Sequence, residues 1–466
     1  MSHALPNPAP MVGRHAAWAV AALALSMLLS SLGTSSANVA LPTLARALDA
    51  SFSQAQWIVL AYLLAITSCV VGAGRLGDVA GRRRLLLLGI AVFTLASLAC
   101  GMADTLWQLV AARVAQGMGA AVMMALTMAF VGDLLPKGGA GSAMGLLGTM
   151  SAVGTALGPT LGGALIAGPG WRAIFLLNLP LGLAAMGLAY RHLPADRRRD
   201  GPPARFDLAG TLLLAAVLAA YALSMTLGRG RFGMLNAGLL LAALVGGRLF
   251  LWVEARAPAP LLRPALLRRP GLRAGLATNA LVSTVMMATL VVGPFYLTQA
   301  LGLGAAAAGL VMSAGPVVSA LCGVPAGRLV DRLGAGRVSR AGLAAVAMGA
   351  ALLAAVPVAF GAAGYIVPIA LLTAGYASFQ AANNTAVVAT TGAQQRGLVA
   401  GMLNLSRNLG LVIGASVMGA VFALGAGAPD LTAAPAAVAR GMAVTFGVAA
   451  LLGAGAWLIA WRGRGG

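Results

Sequence analysis

Charged residues interrupt this chain at wide intervals, and the apolar stretches between them have the length of membrane-crossing helices. About 20 apolar residues span a ~30 Å hydrocarbon core as a helix, and inside lipid only helices and closed barrels satisfy the backbone. Barrel strands need only about ten residues, so the stretches here are helical. They predict spans near residues 16–42, 54–74, 85–103, 106–132, 140–167 and 173–190, a first group of six. A polar segment follows, from Arg191 through Asp200, Pro202 and Pro203 to Asp207, and leads into two more spans near 208–228 and 232–252. The stretch from Arg273 to Arg328 holds two crossings, as does Arg340 to Arg396, with Gly and Pro marking the turns. Two last spans fall near 400–424 and 441–461. The pattern predicts an all-α membrane protein of about fourteen helices. One six-helix half covers 1–191, a cytoplasmic linker with two inserted helices covers 192–270, and a second half covers 271–466.

Composition removes the soluble alternative. The chain is 60% hydrophobic and 9% charged, with a mean hydropathy of +0.91, whereas soluble domains carry about 25% charged residues. A formal net charge of +21 would fit a nucleic-acid partner if the cations formed one face. They fall instead into short clusters between apolar runs: Arg82, Arg83 and Arg84; Arg197, Arg198 and Arg199; Arg268 and Arg269. Cytoplasmic termini place these clusters inside, together with Arg256, Arg263, Arg328, Arg332, Arg337, Arg340, Arg462 and Arg464, and leave only Arg46, Arg172, Arg229, Arg231 and Arg440 outside. This bias is the positive-inside rule. It predicts a multi-pass protein of a bacterial-type cytoplasmic (inner) membrane, with the lipid bilayer as partner and no nucleic acid. The first apolar run follows Arg14 and His15 and continues to Arg46, too long for a signal peptide, so it reads as the first span. Cys69, Cys100 and Cys322 lie in apolar runs without metal or disulfide spacing and read as small hydrophobes; no cofactor or metal is expected.

The two halves carry a common motif. Gly74, Arg75, Leu76, Asp78, Gly81 and Arg84 recur as Gly327, Arg328, Leu329, Asp331, Gly334 and Arg337, each pair 253 residues apart. Gly74 to Arg83 fits G-x-L-x-D-x-x-G-R-[KR], and in this the chain resembles the major facilitator superfamily. The motif predicts a tight cytoplasmic turn: glycine allows close helix approach, Asp78 caps a helix N-terminus, and arginines meet the carbonyl ends of neighbouring helices. Gly74, Asp78, Gly81, Arg82, Arg83, Asp331 and Arg337 are the expected conformational latch.

Within the spans, Arg113 lies about 12 Å deep at ~1.5 Å rise per residue. There an arginine either finds a partner or a wet cavity, or snorkels to the outer interface. Arg113, Gln116, Gly117 and Gly119 resemble the family's R-x-x-Q-G-x-G motif, which implies a role in proton coupling, shared in this reading with Gln116, Asp78 and Asp133. Gly154, Gly158, Pro159, Gly162 and Gly163 set glycines along one helical face for close packing. They resemble the antiporter motif G-x-x-x-G-P-x-x-G-G of exporters. Trp171, Arg172, Ile174, Phe175, Asn178 and Pro180 resemble the W-R-x-I-F-x-x-N-x-P signature of fourteen-span drug:proton antiporters of the EmrB/QacA type. Asn38 to Pro42, Gln56, Trp57, Ala61, Tyr62, Phe379, Gln380, Asn383, Asn384, Thr385, Asn404, Arg407, Asn408 and Gly410 extend that resemblance over nearly the whole chain. Polar side chains at this depth need partners and either face a central cavity or bond between helices. Asn38, Trp57, Tyr62, Asn178, Tyr296, Gln380, Asn383, Asn384, Asn404 and Arg407 are the candidate cavity residues. Met118, Met123, Met124 and Met128 read first as packing.

One departure bears on chemistry. The family commonly has an aspartate in the first span, where this chain has Gly33. No other acid lies deep in a predicted span, since Asp49, Asp104, Asp133, Asp207, Glu254 and Asp430 fall near ends or in loops, and His3, His15 and His192 lie outside the membrane. Arg113 and Arg407 are the interior charges, which favours neutral or anionic substrates. Ala140 stands where the family often has arginine, while Arg396 is kept in the second half. No G-x-x-x-x-G-K-[ST] occurs and the single lysine, Lys137, is in a loop, so an ATP-driven mechanism within the chain is excluded. Loops of about 5 to 20 residues hold no catalytic domain. The expectation is a monomeric, non-enzymatic exporter of small amphipathic compounds, driven by proton antiport. The alternatives are a proton-independent or anion-preferring exporter or facilitator, and a membrane sensor.

Overall fold

The computed structural model describes residues 14–134, 140–196, 208–227, 233–256, 269–355, 358–389, 396–427 and 434–462. The first half is built from α1 (Arg14–Ala47), α2 (Phe52–Ala80), α3 (Arg82–Gly101), α4 (Leu106–Leu134), α5 (Ala140–Ala167), α6 (Arg172–Leu176) and α7 (Asn178–His192). The inserted pair is α8 (Leu208–Thr226) and α9 (Met234–Arg256). The second half holds α10 (Pro270–Phe295), α11 (Ala305–Leu333), α12 (Ala335–Ala355), α13 (Gly361–Ala389), α14 (Arg396–Ile413), α15 (Gly419–Ala426) and α16 (Pro435–Arg462). Among the described residues thirteen stretches are long and apolar enough to cross a membrane, and α5, whose described apolar part is shorter, makes a fourteenth crossing. The α6–α7 pair is one crossing broken at Leu177, and α14–α15 is one crossing broken by a π-helical turn over Gly414–Met418. A second π-helical turn, Tyr296–Ala300, follows Pro294 at the end of α10. Proline removes a ladder hydrogen bond, and such wide turns absorb the disruption.

Local sequence explains the element ends. Ser51 and Gln54 form a capping box at α2: the Gln54 N–H donates to Ser51 Oγ (3.4 Å) and the Ser51 N–H to Gln54 Oε1 (2.9 Å). Pro270 opens α10 at a position that needs no N–H. The repeated motif is more helical than the sequence suggests. α2 runs through Gly74 and Asp78 to Ala80, so the turn is a single residue, Gly81 at φ +97°; its counterpart Gly334, between α11 and α12, has φ +82°. Both are left-handed positions that favour glycine, which puts the duplication into backbone geometry as well as sequence.

Successive crossings alternate in direction, which gives the bundle a terminal face, shared by both chain ends, and a far face. α1 packs on α5, α2 on α4 and α3 on α4 within the first half; α12 packs on α13 and α16, and α10 on α14, within the second. The halves meet where α5 lies along α11 and where α2 meets α14 and α15. The inserted pair lies outside this seam, with α8 against α2 and the π-helical turn of α14–α15. Phe52, Phe295 and Phe422 close the seam at the far face, with ring centroids 4.7 to 6.3 Å apart.

Candidate functional site

Arg113 of α4 is fully buried, which removes the snorkelling alternative. Its Nε donates to the Ile58 carbonyl (2.9 Å) on α2, and its Nη1 donates to the Gly33 carbonyl (2.9 Å) on α1 and to Gln116 Oε1 (2.6 Å). Gln116 Nε2 passes the chain on to Ser97 Oγ (2.7 Å) on α3. The guanidinium carbon lies 4.1 Å from the centroid of the Tyr62 ring, and the Tyr62 hydroxyl donates to the Ser30 carbonyl (2.8 Å). One cation thus joins four helices, and its partners are carbonyls, an amide and a π face rather than a carboxylate. Position 33, which lacks the family's acid, meets Arg113 through its backbone oxygen. A Cβ at Gly33 would stand 3.0 Å from the Tyr62 hydroxyl and 3.2 Å from Phe93, so the site is tight. Arg113 Nη2 has no hydrogen-bond partner among the described residues.

The α5 glycines face two ways. Cβ atoms at Gly154, Gly158 and Gly162 would meet α1 at the Leu28 carbonyl (2.6 Å), Ser35 Oγ and Val39 (2.6 Å). A Cβ at Gly163 would meet the Ala305 carbonyl of α11 at 2.6 Å, and one at Gly309 of α11 would run into the Pro159 carbonyl. Backbone therefore touches backbone within the first half and across the seam, a packing that small residues alone permit. Ser31 and Ser151 add a hydroxyl pair at 2.7 Å between α1 and α5.

At the terminal face, the side chain of Asp78, the expected cap, lies outside the described residues, and a second carboxylate reaches the start of α3. Asp78 lies in the last turn of α2, and Asp196 accepts from the N–H groups of Arg83 (2.8 Å) and Arg84 (3.0 Å) at the start of α3. A helix N-terminus leaves its first N–H groups free for such a partner, and Asp196 comes from the segment after α7, out of sight of the local motif. A Cβ at Gly81 would collide with Asp196 Oδ2, so Gly81 is needed for space as well as for its φ. Gly74 has nothing within 4 Å, and Gly77 is the residue pressed against α4, at Leu126. Arg83 donates to the Tyr190 carbonyl near the end of α7 and lies over the Tyr190 ring, and Arg337 Nη1 donates to the Leu333 carbonyl (3.4 Å) at the end of α11. Arginine at a helix C-terminus is the expected arrangement. Asp331 is exposed, and the side chains of Asp78 and Asp133 lie outside the described residues.

The structure divides the ten cavity candidates. Asn38, Tyr62, Asn178 and Asn383 are buried. Asn38 Nδ2 donates to the Thr34 carbonyl (2.9 Å) of its own helix, and Asn383 Nδ2 ties α13 to the Gly275 carbonyl (3.2 Å) of α10. Trp57 is redirected: its indole N–H donates to Thr226 Oγ1 (3.1 Å) on α8, so it serves the inserted pair. Tyr296 is buried and stacks on Tyr365, 6.3 Å between centroids. Gln380 and Asn404 are half-buried, as is Arg407, whose Nε has no partner; Asn384 is exposed. Gln380 Nε2 donates to the Tyr376 hydroxyl (2.8 Å). Among the methionines Met123 is buried, whereas Met118 and Met128 are exposed. Sequence reasoning missed the ties between α10 and α14, where Asn279 Nδ2 donates to the Leu403 carbonyl (2.9 Å) and Ser406 Oγ to the Leu276 carbonyl (2.6 Å). It also placed Glu254 by its position near a helix end, yet that side chain is only 1% exposed, on the inserted pair.

This arrangement of two related six-helix halves around a glycine-packed seam defines a transporter of the major facilitator class. A profile of the Major Facilitator Superfamily matches residues 23–415 and again 274–464, and the chain belongs to that family. It is 33% identical over 88% of its length to the uncharacterized transporter YebQ of Escherichia coli (strain K12), covering 89% of that protein. It is 30% identical to the riboflavin transporter RibZ of Clostridioides difficile (strain 630), with 86% of this chain and 87% of RibZ covered. With the multidrug resistance protein Stp of Mycobacterium tuberculosis, identity is 31% over 83% of this chain and 72% of Stp. Among solved structures, a bacterial homolog of the human lysosomal transporter Spinster shares the fold at TM-score 0.70 and 16% identity, covering 97% of this chain and 98% of its own. The protein is a multi-pass membrane transporter of small molecules and not an enzyme.

Proposed function

We propose that the protein exports small amphipathic molecules across the cytoplasmic membrane by alternating access, as a single chain with both termini in the cytoplasm. The observation that carries this reading is the α5 glycine face, which packs on α1 with one set of glycines and on α11 with Gly163. A seam of backbone contacts lets two rigid halves separate and close without rearranging side chains. The same glycines resemble the exporter motif, and relatives bear the names multidrug resistance protein, methylenomycin A resistance protein and drug efflux pump. Growth of an efflux-deficient host carrying the gene, against a chemically diverse panel, tests export. Absence of protection across the whole panel would sink it.

The charge pattern narrows the substrate to neutral and anionic amphipaths. Among the described residues the buried charges are Arg113 and Glu254, and Glu254 belongs to the inserted pair rather than to either half. Arg407 adds a second cation on α14. Strong export of a permanent cation such as ethidium would contradict this. Proton antiport is the proposed drive, with Asp78 and Asp133 as titratable groups toward the terminal face. Flux in proteoliposomes that follows an imposed pH gradient supports it. Flux that ignores the gradient supports the second reading, a facilitator, which the carboxylate-free setting of Arg113 favours.

A further inference from the structure

The seam between the halves is closed largely by packing, and among the described residues one buried side-chain hydrogen bond crosses it. Gln56 Nε2 of α2 donates to the Ala415 carbonyl at 3.1 Å. Ala415 lies in the π-helical turn of the α14–α15 crossing, and a wide turn interrupts the regular carbonyl ladder that a helix otherwise keeps for itself. The amide sits in a notch cut for it. A Cβ at Gly419 would coincide with Gln56 Nε2, so the space a side chain would take at 419 is occupied by the amide of the opposite half. One turn toward the far face, Phe52 on the same helix packs edge-on against Phe295 and at a tilt against Phe422 of the second half. Gln56 itself is 3% exposed, so the bond is shielded from solvent. The next residue, Trp57, holds α8 through Thr226, and Tyr221 of α8 reaches Ser416 in the same π-helical turn. This turn is where both halves and the inserted pair converge.

We infer that Gln56 is the positioning residue of the far gate: seated over Gly419 and bonded to the Ala415 carbonyl, it holds the far face shut and must leave its notch when that face opens. The inference rests on the alternating-access reading. A packed glycine seam has contact but little direction, whereas a hydrogen bond fixes which carbonyl faces which helix and breaks cleanly on separation. The net contribution of one such bond is small, so losing it shifts the open-to-closed ratio about threefold to tenfold without unfolding either half.

The test is hydrogen–deuterium exchange of the full chain in nanodiscs, without substrate. Gln56→Ala removes the donor, and Gly419→Ala expels the amide from the other side of the seam. Each is expected to speed exchange about threefold to tenfold in residues 52–60 and 414–424 while α3 and α12 keep parental rates. In the double variant the notch holds no amide, so the methyl added at position 419 fits there and causes no further opening. Unchanged exchange at the far face in both single variants, or full additivity in the double variant, overturns the inference. If one variant loosens the whole protein, the other decides, because the two act on one bond from opposite halves. The measurement needs no transport, so absence of flux would strike the transport reading while leaving this result to stand or fall by itself.

Discussion

The α5–α11 contact offers a direct measure of how much the seam depends on bare backbone. Gly309→Ala would place a methyl well under 3.0 Å from the Pro159 carbonyl and 3.1 Å from Gly163 Cα. Ordinary contact begins at 3.4 Å, and both obstacles are backbone, so no rotamer relieves the clash. The helices have to part by about 1 Å, and overpacking of this kind costs about 1 to 3 kcal/mol. Because the contact belongs to the closed far face, the cost falls on that state, shifting its equilibrium with the open state about 5-fold to 150-fold. The assay pairs hydrogen exchange over residues 304–312 with efflux in whole cells. Faster exchange and reduced efflux are expected. Gly323→Ala is the control, on the same helix with nothing within 4 Å of the added methyl, and should match the parent in both. If Gly309→Ala also matches the parent, the seam is not packed as described and the reasoning fails.

Substitutions at three further positions probe other parts. Asp196→Ala removes the cap of α3 and should lower stability by about 1 kcal/mol, read as a drop in melting temperature, with Asp196→Asn less severe because one acceptor oxygen remains. Gly81→Ala meets both a left-handed φ and the Asp196 carboxylate, so its loss should exceed that of Asp196→Ala; an equal or smaller loss in thermal unfolding would contradict the one-residue turn. Arg113→Lys keeps the charge but cannot span the Ile58 carbonyl, the Gly33 carbonyl and Gln116 with one ammonium, and should lose transport nearly as fully as Arg113→Ala; full activity of the lysine variant would show that charge alone suffices.

The fold was legible because its strongest determinant is length. Apolar runs bounded by charged residues set the crossings, and the fifth, expected at 140–167, ends at Ala167 in the structure. The 253-residue register foresaw the matched turns at Gly81 and Gly334, since a left-handed position selects for glycine. Side-chain direction was far less legible. A helix that is apolar all round carries little periodic contrast, so sequence alone could not say whether Trp57 or Asn383 faced a cavity, a neighbour or the inserted pair. Asp196 and Gln56 act on partners far along the chain, Gln56 on Ala415 and Asp196 on the start of α3, and local motif chemistry holds no information about such pairings.

The place where the family resemblance broke proves to be occupied. At position 33 the chain has no side-chain carboxylate, and the acceptor it gives Arg113 is the backbone carbonyl that any residue there would carry. The two acceptors differ in one respect that matters for coupling: a carboxylate can be neutralised by a proton and a peptide carbonyl cannot, so the Gly33–Arg113 tie holds at any physiological pH. Proton sensitivity, where present, has to arise elsewhere. Gly33→Asp restores a titratable group; its Cβ alone takes a few tenths of an ångström from Tyr62 and Phe93, and the carboxylate needs further room there. The variant should gain a step in its transport-against-pH profile in addition to any that Asp78 and Asp133 give the parent, together with export of ethidium, since a carboxylate offsets the cation at the centre of the first half. A parent protein that already shows the same step would mean that another group carries the proton and that the acid missing from position 33 was never needed.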